Sequence, residues 1–384
     1  MRTFIRLKLL LALLAIVGAG LGLLAPPAQA QSPYAFGVMI PLTGPGAQIG
    51  ASFRRGLDLA VEEVNRTGGA AGMKLEPNIQ DHKGVAQAGV EAMNQLVNIA
   101  RVPFVVSSFS GPTLAAQPIA QQQKVLMINV GGTDVALLNK PFLYNNQVMA
   151  HNLTPALARA LWEIGQRTAA LITSQDPYGD GNRKAFKATW EKFGGKVVAD
   201  ELFQVGATDF SAQLTKIRAA APELLVIVAI GQTQGLIVKQ ARALGLTAQL
   251  AGPLATQDVI TVGGEAANGF IEAGLAVDPQ AKDPRARQFI EQFTARSGES
   301  PPWMSGTIYE ATLLLRDLIN ATAKAGGNPR QGEALAKTLQ ANPEFTNYLA
   351  GGTVRFVADQ SVLRTLAIRR VEGGKFQVVK YIEP

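Results

Sequence analysis

Residues 105–115 read VVSSFSGPTLA. An apolar, β-branched pair passes through four positions that carry a hydroxyl or no side chain, Ser107, Ser108, Ser110 and Gly111, into Pro112. Proline suits a first helical turn, where its missing N–H has no partner to lose. The stretch therefore reads as strand, tight turn, helix. Downstream, VLMINV (125–130) runs into Gly131-Gly132-Thr133 and then DVALL, a second strand that ends in small and hydroxyl residues before an expected helix start. Strand, helix and strand in succession make a βαβ unit, which favours a parallel sheet with helices on both faces.

The same rhythm extends in both directions. YAFGVMI (34–40) is strand-like, and Phe53, Leu57, Ala60, Val61 and Val64 then share one helical face up to Gly68-Gly69. MKLEPNIQ is followed by a helix carrying Val90, Met93, Val97 and Ala100. After Asn152 the alternation restarts: a helix from Pro155 to Gly165, AALITS (169–174), a helix from Gly181 to Phe193, KVVADELF, a helix after Asp209, and LLVIVAI (224–230). A third block, 281–350, contributes two more helices, and GTVRFV, RTLAIRRV and KFQVVKYI close the chain as strands. The halves are alike but no fixed-period repeat relates them. The expected fold is α/β, two doubly wound parallel-sheet lobes joined by several short crossings.

The first thirty residues belong to neither lobe. Arg2, Arg6 and Lys8 precede an uncharged run from Leu9 to Ala25, two prolines and Ala28-Gln29-Ala30, the pattern of a secretory leader cut after Ala30. The competing reading is a retained membrane anchor. Cleavage leaves a mature chain of 354 residues from Gln31, room for two domains of roughly 150 residues each. There is no cysteine, so the exported chain has no disulfide and no acylated N-terminal thiol. A soluble periplasmic protein, not a lipoprotein, is expected. Without the three basic leader residues the charge falls from +7 to +4, from 33 Lys and Arg against 29 Asp and Glu. The basic residues are scattered in pairs such as Arg54-Arg55 and Arg369-Arg370, which disfavours a nucleic-acid partner.

Two histidines, His82 and His151, remove most metal and nucleophile schemes. Ser110 stands in S-F-S-G-P, not in a G-x-S-x-G elbow. DPYGDGN (176–182) opens like a calcium loop, but the twelfth position is Lys187 where a bidentate glutamate is needed. The chain is not expected to be an enzyme or to hold a cofactor or metal. What remains is a repeated design: hydroxyls and glycines at the carboxyl ends of neighbouring strands, where open α/β sheets bind ligands, beside helix N-termini whose free N–H groups suit a carboxylate. Two readings of Ser110 and Thr133 stand side by side, ligand contacts or simple helix caps.

These residues resemble the branched-chain amino-acid-binding (leucine/isoleucine/valine-binding) group of periplasmic solute-binding proteins of ABC importers, with the type I periplasmic binding fold. The similarity covers the mature chain: IPLTGPGAQIG (40–50), AVEEVNRTGGAAGMKLE, QDHKG, SSFSGPTLAAQPIA, VLMINVGGTDVAL, SQDPYGDG, GQTQGLIVKQARALGL and GTVRFVADQS occur in the family's order. The resemblance implies a three-strand hinge with crossings near Asn152, Val277 and Val357. One lobe is then 31–151 plus 278–356, and the other 152–277 plus 357–384. It also implies a monomer that closes on a small carboxylate solute and is presented to an inner-membrane ABC permease. A ligand-sensing or amide-binding regulator on the same fold is the alternative. On the same basis Ser110 and Thr133 take the ligand's carboxylate, with Gly132 beside them, and a carbonyl near Gly131 faces an amine. Tyr178 covers the ligand from the second lobe, and Gly46–Gly50, including Ile49, line a side-chain pocket. Gln232 serves a polar tail or caps a helix.

One departure bears on the ligand. Relatives of this group place an acid after the proline of a G-P-E-like turn, where it pairs with an α-ammonium; here the turn reads Gly252-Pro253-Leu254. A buried ammonium with no counter-charge is costly, so either another group substitutes, with Asp258 and Glu310 as candidates, or the solute has no amine. Leu254 by itself leads to the expectation that amine-free acids bind at least as well as amino acids.

Overall fold

The computed structural model describes residues 32–383; the leader and its cleavage site lie outside the described residues. From Tyr34 onward the chain forms a unit of its own. The first sheet contains β1 (Tyr34–Ile40), β2 (Leu75–Asp81), β3 (Phe104–Ser107), β4 (Leu126–Asn129) and β5 (Leu143–Asn145), all parallel, in the order β2-β1-β3-β4-β5. The second begins with β6 (Thr168–Ser174), β7 (Lys196–Phe203), β8 (Leu224–Val228), β9 (Gln249–Pro253) and β10 (Ile271–Leu275), parallel in the order β7-β6-β8-β9-β10. The two orders are the same permutation, and that is the likeness between the halves. In each sheet the winding reverses between the first and third strands, so each lobe has a switch-point crevice at its strands' carboxyl ends.

Strands covered by helices on both faces are apolar throughout, and β3, β4 and β8 are buried at every residue. Phe104, Val106, Leu126 and Ile128 point to one side of the first sheet, where Phe53 and Leu57 of helix Ala47–Arg66 meet them. Val105 and Met127 point to the other, against Met93, Leu96 and Ala116. Helix Ala47–Arg66 also packs along helix Trp303–Lys324, so closely that a methyl group at Gly56 would lie 2.1 Å from the Ser305 carbonyl oxygen. The third block thus returns to the first lobe.

The C-terminal strands divide. GTVRFV forms no part of either large sheet: β11 (Glu344–Thr346) and β12 (Thr353–Arg355) make a separate antiparallel ribbon. β13 (Leu366–Glu372) and β14 (Lys375–Ile382) extend the second sheet antiparallel beside β10. The chain crosses between lobes three times: at 146–149, ahead of helix Ala150–Glu163; at 276–283, ahead of helix Pro284–Ser297; and on the way back to β13. The third crossing lies beyond Val357. The turn at 357–361 is held to the first lobe, where the Asn145 N–H donates to the Gln360 carbonyl (2.8 Å) and the Asn139 N–H to that of Asp359 (3.2 Å). Residues 363–365 make the passage.

A buried ion pair knots two of these crossings together. Arg364 donates through Nη2 to Glu310 Oε2 (2.6 Å) and also to Asn146 Oδ1, and Glu310 Oε1 accepts the Tyr348 N–H (2.8 Å). Both charged side chains are essentially inaccessible to water. Among the described residues no helix is long and apolar enough to cross a membrane.

Candidate functional site

Two crevices facing one another make a cleft, and its walls are strand ends. A cavity of about 50 Å³ is lined from the first lobe by Pro45 and Gly46 after β1, Lys83 and Gly84 after β2, and Phe109 after β3. The second lobe supplies matching positions, among them Asp176 after β6, Val205 after β7, and Ile230 and Thr233 after β8. Among the described residues no group of His, Asp and Glu could hold a metal ion.

Next to this cavity the turns after β3 and β4 meet. Ser110 is the first residue of helix Ser110–Gln122, and its Oγ accepts the backbone N–H groups of Thr133 (3.0 Å) and Asp134 (3.2 Å). It does not cap its own helix. The turn after β4 is capped by Asp134, whose Oδ1 accepts the Ala136 N–H (2.6 Å), so Thr133 is not a cap either. Asn129 Oδ1 holds the N–H of Gly132 (2.7 Å) and of Gly131 (3.2 Å). Val130 and Gly132 spend their carbonyls on Thr307 and Asn129, and that of Gly131 lies between them. Ser110 and Thr133 are fully buried.

The lobes touch across the cleft. Asn182 of helix Pro177–Lys192 donates through Nδ2 to Thr133 Oγ1 (3.0 Å), while its Oδ1 accepts from Thr154 Oγ1 (2.7 Å). Gly181 abuts Asp134, Gly111 faces Pro177, and Gly231 meets the Pro45 carbonyl and Ile49. Small residues at these points let the two backbones approach closely. On the rim of the seam an open groove of about 700 Å³ gathers Asp134, Asp176 and Asp180 with His151 and Lys184. Burial pushes the carboxyls of Asp134 and Asp176 up, and Asp180 adds to the rise at Asp134.

The other anticipated residues take varied places. Ile49 is buried at the seam. Tyr178 is buried behind the strand ends, its hydroxyl donating to the Pro253 carbonyl (3.3 Å); burial pushes that phenol far up. Leu254 is buried too, its N–H on the Ala273 carbonyl (2.8 Å). The turn it occupies is braced by the buried Glu272, which accepts the Ala255 N–H (3.2 Å) and is paired with Arg369. Gln232 is exposed, and the buried glutamine is Gln234, whose Nε2 reaches the Ile227 carbonyl (3.2 Å). Phe109 (φ 63°) and Leu254 (φ 51°) hold positive backbone angles unusual for residues with side chains, one on each lobe beside the cleft.

His82 supports this floor without entering it. Its Nδ1 accepts the Gly84 N–H (3.0 Å), and Nε2 lies 3.0 Å from Ser108 Oγ, which itself donates to the Met39 carbonyl. Burial lowers its pKa to about 4, so the ring is neutral and Nε2 carries the proton.

The model of the family described as periplasmic binding protein matches residues 33–375. The chain belongs to this family. Its members bind solutes and are not enzymes. It is 28% identical over 345 residues, 88% of each chain, to the leucine-, isoleucine-, valine-, threonine- and alanine-binding protein of Pseudomonas aeruginosa. It is 25% identical to the Leu/Ile/Val-binding protein BraC3 of Rhizobium johnstonii, over 91% of this chain and 94% of that one. Among solved structures it resembles the leucine-binding protein LivK of Thermotoga maritima, with a TM-score of 0.84 at 23% identity, covering 91% of this chain and 99% of that one. It also resembles an ABC transporter solute-binding protein of Rhodopseudomonas palustris in complex with benzoate, with a TM-score of 0.83 at 20% identity over 92% and 97%. The fold is that of the type I periplasmic binding proteins, and the family places the chain among extracytoplasmic solute-binding proteins of ABC transporters.

Proposed function

We propose that this protein captures a small carboxylate-bearing solute between its lobes and delivers it, in the closed form, to an ABC permease of the inner membrane. The observation that carries the reading is the meeting of Ser110 Oγ with the N–H groups of Thr133 and Asp134 at the seam. A carboxylate oxygen placed there takes the two N–H donors and the freed Ser110 hydroxyl, and hydrogen bonds to an ionised acceptor are the strong ones. Thr133 Oγ1 receives its bond from Asn182 and keeps its own proton to donate. Relatives are named for aliphatic amino acids, and a structural neighbour was solved with benzoate; the group these solutes share is a carboxylate. The chain is then exported by the leader 1–30 and works as a soluble periplasmic monomer beginning at Gln31.

A thermal-shift screen of the mature protein against amino acids and amine-free acids tests this, because a ligand at 100 times its Kd stabilises by about 2.7 kcal/mol. A carboxylate should raise the melting temperature and its methyl ester should not. An ester that stabilises as well as the acid refutes the reading.

A further inference from the structure

Three buried side-chain atoms at the crossings have no hydrogen-bond partner among the described residues: Gln147 Nε2 on the first, Gln360 Oε1 in the turn leading to the third, and Arg364 Nε on the third itself. Gln147 is fully buried, and its Oε1 is taken by the N–H of the next residue, Val148 (2.7 Å), which leaves Nε2 as the idle end of the amide. The asparagines before it are engaged at both ends. Asn145 Oδ1 accepts from Asn129 Nδ2 (3.0 Å) and its Nδ2 donates to the Leu137 carbonyl (3.3 Å). Asn146 Oδ1 accepts from Arg364, and its Nδ2 reaches the Thr307 carbonyl and Glu310 Oε2 (3.1 Å each). A buried donor that loses water and gains no acceptor weighs against the arrangement that holds it.

Gln147 Nε2 and Gln360 Oε1 are complementary, one a donor and one an acceptor, and the backbone holds their segments side by side. The Gln360 carbonyl accepts the N–H of Asn145, two residues before Gln147 (2.8 Å). Gln360 also holds φ at 66°, in the left-handed region that a residue with a side chain occupies at a cost. Both glutamines lie where rotation between the lobes is absorbed, because hinge motion concentrates its dihedral changes in a few residues at the ends of elements. With the lobes in contact through Asn182 and Thr133, the two amide ends do not meet.

We propose that these two side chains form an opening switch: Gln147 Nε2 donates to Gln360 Oε1 when the lobes separate, and closure breaks that bond and leaves both atoms buried and unpaired. The hinge then favours the open form by its own chemistry. The inference concerns the hinge alone and holds whatever the solute is.

The chain has no cysteine, so a pair of introduced thiols takes spin labels at those two positions only. Ala86→Cys and Ala212→Cys place them at exposed positions in the helices that follow β2 and β7, beside the Lys83–Gly84 and Val205–Gly206 walls of the cleft. Double electron–electron resonance on the protein without added solute should show a short-distance and a long-distance population. Gln147→Met, which keeps the bulk and removes the donor, should raise the short-to-long ratio at least fivefold, and Gln360→Met should move it in the same direction. Both variants remove one and the same bond, so the double variant should change the ratio by less than the product of the two single effects. Gln147→Met also takes the acceptor from the Val148 N–H, but that bond joins adjacent residues in both forms, so its loss shows in urea unfolding and not in the ratio. A wild type with no long-distance population, a ratio unchanged or lowered in either variant, or a double variant equal to the full product overturns the proposal. Where one single variant fails to fold the other decides, because loss of either end breaks the bond.

Discussion

Gly181→Ala separates closure from folding, because the two should move in opposite directions. Gly181 is the fifth residue of helix Pro177–Lys192, and its neighbours there place no bar on a methyl group. The three atoms nearest a built Cβ all belong to Asp134 of the other lobe, with Oδ2 at 3.2 Å, Cα at 3.4 Å and Cγ at 3.5 Å. In the open form that contact is gone, and what remains is the replacement of a helical glycine by alanine, worth about 0.5–1 kcal/mol of added stability. In the closed form Asp134 must move by a few tenths of an ångström while its carboxylate stays committed to the Ala136 N–H. Overpacking of this kind costs roughly 1–3 kcal/mol, and the lower end applies to a contact with one polar side chain at a seam. Closure is part of binding, so affinity should fall about tenfold, the equivalent of 1.4 kcal/mol. Guanidinium unfolding of the ligand-free protein gives the first quantity and calorimetry with the solute found by the carboxylate screen gives the second. If stability and affinity fall together, the helix is disturbed and the seam argument has no support. If affinity is unchanged, Gly181 and Asp134 do not meet in the bound state.

Three further perturbations test other parts of the molecule. Ser110→Ala should weaken solute binding by about 1.5–3 kcal/mol, the range for a hydrogen bond to a charged group, and titration calorimetry that finds less than a twofold change refutes its role. His82 has a folded pKa of about 4 against 6.5 in the unfolded chain, so only the unfolded state takes up its proton between those values. Stability from this residue is complete above pH 6.5 and is lost as pH falls toward 4, about 3 kcal/mol in all. His82→Gln should therefore flatten the pH dependence of urea unfolding by about that amount, and an unchanged profile counts against it. Arg364→Met leaves Glu310 buried without its cation and should cost roughly 3–5 kcal/mol, while the double variant Glu310→Gln/Arg364→Met should recover more than half in the same unfolding experiment.

The fold was legible because parallel strands covered on both faces leave a signature that needs no partner to be read. LLVIVAI announces β8, and YAFGVMI coincides with β1. Legibility failed where identity depends on distant contacts. GTVRFV has the composition of a sheet strand, yet only the ribbon with β11 claims it. The turn at 357–361, just after the expected crossing, is tied to Asn139 and Asn145 far earlier in the chain, a contact that local sequence does not announce. Among the candidate site residues, Ser110 and Thr133 follow from the rule that ligands meet the carboxyl ends of strands, whereas Ile49 follows from the family resemblance alone. That rule also points to Lys83, Asp176 and Val205 after β2, β6 and β7, where the sequence carried the signal without a motif to mark it. Gln232 and Gln234 differ by helical phase: the helix starts at Gln232, turning that residue outward and the next glutamine inward. Asn182 had no local signal, since its partner Thr133 comes near only when the lobes meet.

The hinge and the seam hold the two lobes together in different ways. At the crossings, Glu310, Arg364 and Asn146 form a buried network in which the two charges are paired and, of the guanidinium nitrogens, Nε is left without a partner. At the seam the protein's own contacts are modest: the Asn182–Thr133 hydrogen bond, and glycines facing Asp134, Pro177 and Pro45. Turning a 1:99 equilibrium into 99:1 takes about 5.5 kcal/mol of differential binding. Under the function proposed above, a solute whose carboxylate takes the Thr133 N–H at the seam, where Asn182 of the second lobe reaches Thr133 Oγ1, has to bind the closed form better by that margin.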